Sequence, residues 1–280
     1  MQKHPVFQAA RPTKPFLKWV GGKSRVLQHI VSRLPRGRRL IEPFVGGGAV
    51  FLGSDFEEYL LADKNAHLIE LYQEVSTRPH AFIELAQTFF DEEYLSQSRY
   101  LEVRAAFNAE QDRLMRAAQF LYLNKFGFNG LCRYNRSGIF NVPYGRPART
   151  PRLPVAEILA FSEKAKRATF YPSDFVEVMA SARPGDVVYC DPPYLDRDDA
   201  SSFEAYSATG FDVARQRQLA DLANDLAAYG VPVVISNHDC STARELYAGA
   251  AEIHPYSARR SVSAARDKRG AVAEIVAVFR

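Results

Sequence analysis

Apolar positions along the chain change period several times. Residues 23–34 carry them at helical spacing up to Pro35, and residues 39–44 then read as a short strand running into Gly46, Gly47 and Gly48. Residues 59–62 predict a second strand ending at Asp63, and Asn65 stands where it can cap a helix over residues 66–76. Three helical patterns follow at residues 79–90, 97–108 and 112–126 with no strand between them. Residues 127–154 are rich in Gly, Asn, Pro and aromatics and have no period, although a hairpin fits there. Strand and helix then alternate again. Helices are expected at 155–167, 173–182, 212–228 and 241–248, and strands at 168–171, 186–190 and 232–236. Residues 253–256 and 273–279 can pair as an antiparallel edge. The pattern predicts an α/β unit with a mostly parallel sheet, assembled from residues 1–76 and 156–280, with a mainly helical unit at 77–155 spliced into it.

With 280 residues and 47% apolar content, the chain can bury a large core. No apolar run reaches membrane-spanning length, and the first residues lack the apolar stretch of a signal peptide, so a cytoplasmic protein is expected. Cys132, Cys190 and Cys240 are isolated, which argues against a disulfide framework or a cysteine-rich zinc site. The six histidines form no metal set either. His238 and Asp239, behind a strand end, fit better as support for a catalytic loop than as acid–base groups. The net charge of +4 is modest, but from Arg113 to Arg152 there are eight Lys/Arg and no acid, with seven Phe or Tyr interleaved. A second cluster surrounds Arg259, Arg260 and Arg266. A solvated face would also look basic, yet such a long acid-free stretch favours a polyanion, and nucleic acid is the expected partner.

The expected strand at 186–190 runs into Asp191, Pro192, Pro193 and Tyr194, at the carboxyl end where open α/β folds place their chemistry. The prolines fix φ and leave rigid carbonyls. An acid, two such carbonyls and an aromatic face can hold a flat molecule bearing an NH2 group, although an acid-and-proline loop leaving a strand would look the same. Glu42-Pro-Phe44-Val-Gly46-Gly-Gly48 follows the first strand, and Asp63, at the end of the next, lies 15 residues beyond Gly48. Glycines there admit a close ligand, and the acid can accept bonds from a ribose diol. The glycines are consecutive and the spacing is short, unlike a dinucleotide fingerprint, and no P-loop is present. An adenosine cofactor without a diphosphate fits better, and S-adenosylmethionine is the obvious one; a purely structural glycine turn is the alternative. Lys18-Trp19-Val-Gly-Gly-Lys23 is a second glycine hinge, and Trp19 reads equally well as a core residue.

In order from residue 15, PFLKWVGGK, EPFVGGG, LLAD, FLYLNKFGFNGLCRYNRSGIFNVPYGR, VVYCDPPY, SNHD and RRSVS together resemble the Dam-type DNA adenine methyltransferases of the D12 class. The resemblance implies a methyltransferase sheet of seven strands with a reversed hairpin at one edge, and a target-recognition unit inserted in it. It implies transfer from S-adenosylmethionine, which becomes S-adenosylhomocysteine, to adenine N6 in double-stranded GATC, with no metal. The target base would flip out, because N6 is otherwise paired and stacked. Asp191, Pro192, Pro193 and Tyr194 then match the catalytic motif, and Trp19, Lys23, Phe44, Gly46, Gly48, Asp63 and Asp191 the cofactor pocket. Lys18, Arg133 and Pro143 match base contacts, and Phe128 and Asn129 the pair that enters the duplex. Asn135, Arg136 and Arg146 lie in the same segment, and Arg259, Arg260 and Ser261 match a phosphate-binding loop. The close pattern has tyrosine where this chain has Phe128 and Pro147, which bears on the outer base pairs; GATC is still expected. Methylation of another DNA sequence, of cytosine N4 or of RNA is the alternative within enzymes. Outside them, a non-catalytic DNA-binding regulator is the alternative. A monomer is expected, with more than one molecule able to share a DNA, and no membrane role.

Overall fold

The computed structural model describes residues 14–195, 211–259 and 271–280. After a 3-10 turn at Lys23–Arg25 come α1 (Leu27–Val31), β1 (Arg39–Glu42), α2 (Ala49–Gly53), β2 (Glu58–Asp63) and α3 (Ala66–Thr77). Three helices, α4 (Pro79–Gln87), α5 (Gln97–Phe107) and α6 (Arg113–Phe126), follow one another. The chain returns through α7 (Val155–Ala165), β3 (Ala168–Pro172), α8 (Phe175–Ala180), β4 (Asp186–Cys190), α9 (Val213–Ala228), β5 (Val233–His238) and α10 (Ser241–Leu246). It ends in β6 (Glu252–Arg259) and β7 (Ala271–Phe279).

The strands form one seven-stranded sheet in the order β3-β2-β1-β4-β5-β7-β6. β1 to β5 are parallel, and β7 runs antiparallel to both β5 and β6. The two centres of the order, β1 and β4, begin at a shared ion pair, with Arg39 donating to both oxygens of Asp186 at 2.9 and 2.6 Å. Alternate strand residues face opposite cores, as a pleat requires. Leu40, Leu61, Val187 and Tyr189 pack under α3 and α7, whereas Ile41, Leu60, Val188 and Cys190 pack under α8 and α9. The first of these cores continues without a break into Phe82, Tyr100, Phe120 and Phe126 of α4 to α6.

Side-chain caps open several helices: Asn65 and Asp212 accept from Leu68 and Arg215 N–H, and Asp112, which the sequence pattern put inside its helix, caps it instead by accepting from Met115 N–H. Two local expectations need correction. Residues 23–34 do not form one helix, because Val26 adopts φ −112° and ψ 10°, which breaks the ladder between the 3-10 turn and α1. The first strand stops at Glu42, since Pro43 has no N–H to offer. Residues 127–154 hold two isolated antiparallel bridges, Gly127 with Tyr144 and Tyr134 with Phe140.

Candidate active site

Glu42, Asp63 and Asp191 close β1 and β2 and follow β4, so three acids gather at the carboxyl edge of neighbouring strands. Lys23 Nζ lies 2.7 Å from Asp191 Oδ1, donates to Gly21 O at 2.7 Å, and stands 4.6 Å from the Tyr194 ring centroid. Lys23 and Asp191 thus form an ion pair at the mouth of the site. Burial pushes the Asp191 carboxyl up; the Lys23 ammonium draws it back. The Asp191 side chain is 21% exposed against 7% for Lys23, so the acid is the member of the pair that meets solvent.

Tyr194 is held at both ends. Its hydroxyl donates to Glu274 Oε2 at 3.2 Å, the same oxygen that accepts from Tyr256 at 2.7 Å, and His238 meets its ring edge-on at 4.8 Å. The picture of two prolyl carbonyls facing the cleft needs correction. Pro193 O accepts from Gln216 Nε2 of α9 at 2.7 Å, because a buried amide demands an acceptor.

The glycine turn is shaped by φ values of +46° at Gly46 and +72° at Gly48. A Cβ on Gly46 would stand 2.8 Å from Trp19 Nε1, and one on Gly47 2.9 Å from Trp19 Cβ. Trp19 is therefore a half-buried wall of this turn. Asp63 accepts from Gly46 N at 3.1 Å and Asn65 N at 3.0 Å. Burial raises its carboxyl, and those two N–H groups oppose the rise. Phe44 stacks on Phe175 at 5.4 Å and meets Phe211 edge-on at 5.7 Å.

On the inserted unit, Phe128 is 44% exposed and Asn129 beside it has φ +54°, the left-handed region that Asn tolerates. Pro143 O accepts from Phe128 N at 3.0 Å. Exposed Arg133 donates through Nε to Asn141 Oδ1 at 2.8 Å and through Nη2 to Asn141 O at 3.1 Å. Asn135 Oδ1 accepts from Ser137 N and Ile139 N at 3.0 and 2.9 Å, so its carbonyl end shapes the turn. Arg136 and Arg146 are exposed. Lys18 Nζ donates to Lys125 O at 3.0 Å, and its main chain exchanges bonds of 2.9 and 2.7 Å with Asn124. Arg260 and Ser261 lie outside the described residues, as does the side chain of Arg259.

The family model for D12 class N6 adenine-specific DNA methyltransferases matches residues 19–262. The chain belongs to that family. A DNA adenine methylase of Vibrio cholerae is 44% identical over 267 residues, covering 95% of this chain and 96% of the relative. A DNA adenine methylase of Escherichia coli K12 is 43% identical over 270 residues, covering 96% of each. One of Serratia marcescens is 43% identical over 271 residues, covering 96% and 100%. The protein is thus a DNA methyltransferase that modifies adenine and depends on S-adenosylmethionine.

The residues of this methyltransferase fit that cofactor. The glycine turn keeps Cβ atoms out of the space beside Trp19, and Glu42 Oε1, a buried carboxylate oxygen at the end of β1, has no hydrogen-bond partner. Among the described residues no cluster of His, Cys, Asp and Glu could hold a metal, and no helix is long and apolar enough to cross a membrane. Sequence reasoning missed Phe175 and its neighbour Asp174, which caps α8 and pairs with Arg215 at 2.5 Å. An acid just beyond an expected strand was the signal that could have found them. The basic stretch also shrinks in three dimensions. Arg116 pairs with Glu70, Arg113 with Glu70 and Glu74, and Arg152 with Glu157, all acids from outside the stretch.

Proposed function

We propose that the methyltransferase acts on adenine N6 within GATC in double-stranded DNA, on an adenine turned out of the duplex. The observation that carries this reading is the loop after β4. A partly exposed carboxylate, Asp191, stands beside a tyrosine ring whose hydroxyl is tied to Glu274. Trp19, Lys23, Phe44, Gly46, Gly48 and Asp63 would hold S-adenosylmethionine, which when bound supplies an electrophilic methyl group. Asp191 and the Pro192 carbonyl accept the two N–H bonds of the target amine. That draws the nitrogen lone pair out of conjugation with the ring and balances the charge growing on nitrogen. Burial raises the Asp191 carboxyl, and the Lys23 ammonium beside it opposes that rise. Tyr194 supplies the stacking face.

Residues 77–155 face the DNA in this reading, and the catalytic unit is the remainder. Arg133, with its guanidinium braced by Asn141, suits bidentate contact to guanine O6 and N7. Lys18 and Pro143 read neighbouring bases, and Phe128 and Asn129 fill the gap beside the extruded adenine. Asn135, Arg136, Arg146, Arg259, Arg260 and Ser261 bind the backbone. The resemblance in residues 120–146 favours GATC.

Methyl transfer onto a random duplex library, followed by nucleoside identification and mapping, tests the reading. N6-methyladenine confined to GATC is the expected product; N4-methylcytosine, or adenine methylated in another sequence, contradicts it. Arg133→Ala should lower the preference for GATC over one-base variants by about 1–3 kcal/mol at the guanine it reads. An equal loss on all sequences would make Arg133 a backbone contact instead.

A further inference from the structure

The catalytic loop has an unusual anchoring problem. Pro192 and Pro193 have no N–H, and residues 191–195 belong to no helix or strand, so the sheet's own ladder cannot hold Tyr194 in place. Three buried polar side chains from the far side of the sheet converge there instead. Gln216 of α9 and Asn237 of β5 are each 0% exposed, and so is Tyr247, just beyond α10. Gln216 Nε2 donates to Pro193 O at 2.7 Å. Its Oε1 accepts from Asn237 Nδ2 and from Tyr247 Oη, both at 3.1 Å. Asn237 Nδ2 also reaches Tyr247 Oη at 2.8 Å. Asn237 Oδ1 accepts from Leu195 N at 3.2 Å and His238 N at 2.8 Å. The residues before and after Tyr194 are thus both gripped, Pro193 through its carbonyl and Leu195 through its amide.

The neighbours of this network are apolar: Leu219, Ala220, Ile235, Ala243 and Ile275 are all buried in the same core. Packing alone would be served there by hydrocarbon. A fully bonded polar network in such a place fixes one geometry, because each member is costly to leave unpaired.

We propose that Gln216, Asn237 and Tyr247 form a clamp that positions Tyr194 and the Asp191–Pro192 peptide for methyl transfer, with Gln216 as the positioning residue that grips the loop. The proposal rests on the methyltransferase reading of the loop. It assigns these residues no contact with DNA or cofactor.

The test uses Gln216→Glu in the full chain. As a carboxylate this residue keeps its acceptors but cannot donate to Pro193 O. Protonated, it donates again in nearly the same shape. A buried glutamate gains its proton within the working range, so the variant carries its own rescue. Single-turnover transfer, started by mixing enzyme and duplex DNA with S-adenosylmethionine at saturating concentrations, is followed from about pH 6 to about pH 9 beside wild type. At the high end the variant should lose about 10- to 100-fold in rate, the scale of a misplaced reacting group. Equilibrium binding of DNA and S-adenosylmethionine should stay within about twofold of wild type, since the clamp touches neither. The rate ratio to wild type should recover as pH falls, while Gln216→Leu, which cannot titrate, should show a constant deficit. A wild-type rate at high pH, a pH-independent ratio for Gln216→Glu, or rate and both affinities falling together would overturn the clamp. Should Gln216→Glu melt below the assay temperature, Gln216→Leu decides alone: a rate deficit with intact binding supports the clamp, and no deficit overturns it. Wild type failing to methylate adenine would instead sink the reading of the loop.

Discussion

Glu42, a buried acid at the end of β1, is costly to ionise, and Asp191 nearby adds to that cost. Burial pushes the Glu42 carboxyl well above its ordinary value of 4.5, and Asp191 adds to the rise. The folded protein therefore keeps a proton that the unfolded chain has released. The stability this contributes is fully present below about pH 4.5 and is lost as pH rises through the folded value. Glu42→Gln, which never ionises, should gain melting temperature relative to wild type steadily above that pH; a constant difference would mean that Glu42 is not the group responsible. At this scale the sequence was only partly legible. Asp191 and Tyr194 stood out because an acid, two prolines and an aromatic follow an apolar run. Glu274 and Gln216 had no signal, since a lone Glu in an edge strand and a Gln in a helix gain meaning only when β7 and α9 are laid against the loop. The Lys23–Asp191 contact likewise joins residues that no local pattern connects, and only the family resemblance placed both in one pocket.

The glycine turn and its short helix show how elements escaped the pattern. α2 is five residues long, too short for a helical period to register among consecutive apolar residues. The residue that caps it, Gly48, is in the left-handed region. Gly46→Ala places a Cβ against the Trp19 indole and strains a positive φ. Affinity for S-adenosylmethionine should fall by about tenfold or more, as expected for about 1–3 kcal/mol of local strain, while the overall fold persists. Unchanged cofactor binding by calorimetry would remove this turn from the pocket. At the other strand end, Asn65 was legible as a cap, and it does more than cap. Besides accepting from Leu68 N, it donates to Cys132 Sγ at 3.0 Å and accepts from Tyr134 Oη at 3.4 Å, tying the end of β2 to the segment that carries Arg133. Asn65→Ala should cost about 0.5–2 kcal/mol in thermal or denaturant unfolding. A neutral result would mean that the cap bond and these ties contribute nothing net.

Across the whole molecule, a mostly parallel sheet with an antiparallel edge and an inserted run of helices was legible in the succession of strand and helix patterns, whereas the order of the strands and the long-range charge pattern were not. Arg113, Arg116 and Arg152 read as a footprint for a polyanion until α3 and α7 brought Glu70, Glu74 and Glu157 beside them. The exposed remainder, Arg133, Arg136, Arg146 and Arg149, clusters in the aperiodic stretch after α6. One aromatic core runs from the sheet into α4 to α6, so the inserted helices and the catalytic sheet should unfold in a single cooperative step. Two separated transitions in calorimetry would contradict that. In the proposed reaction Asp191 grips the amine of an adenine beside Tyr194. The most direct test is Asp191→Ala, with methyl transfer to GATC duplex DNA and equilibrium DNA binding measured on the same preparation. Transfer should vanish while DNA affinity stays within a few-fold of wild type. Substantial transfer by the variant would show that the carboxylate at the end of β4 does not hold the reacting nitrogen.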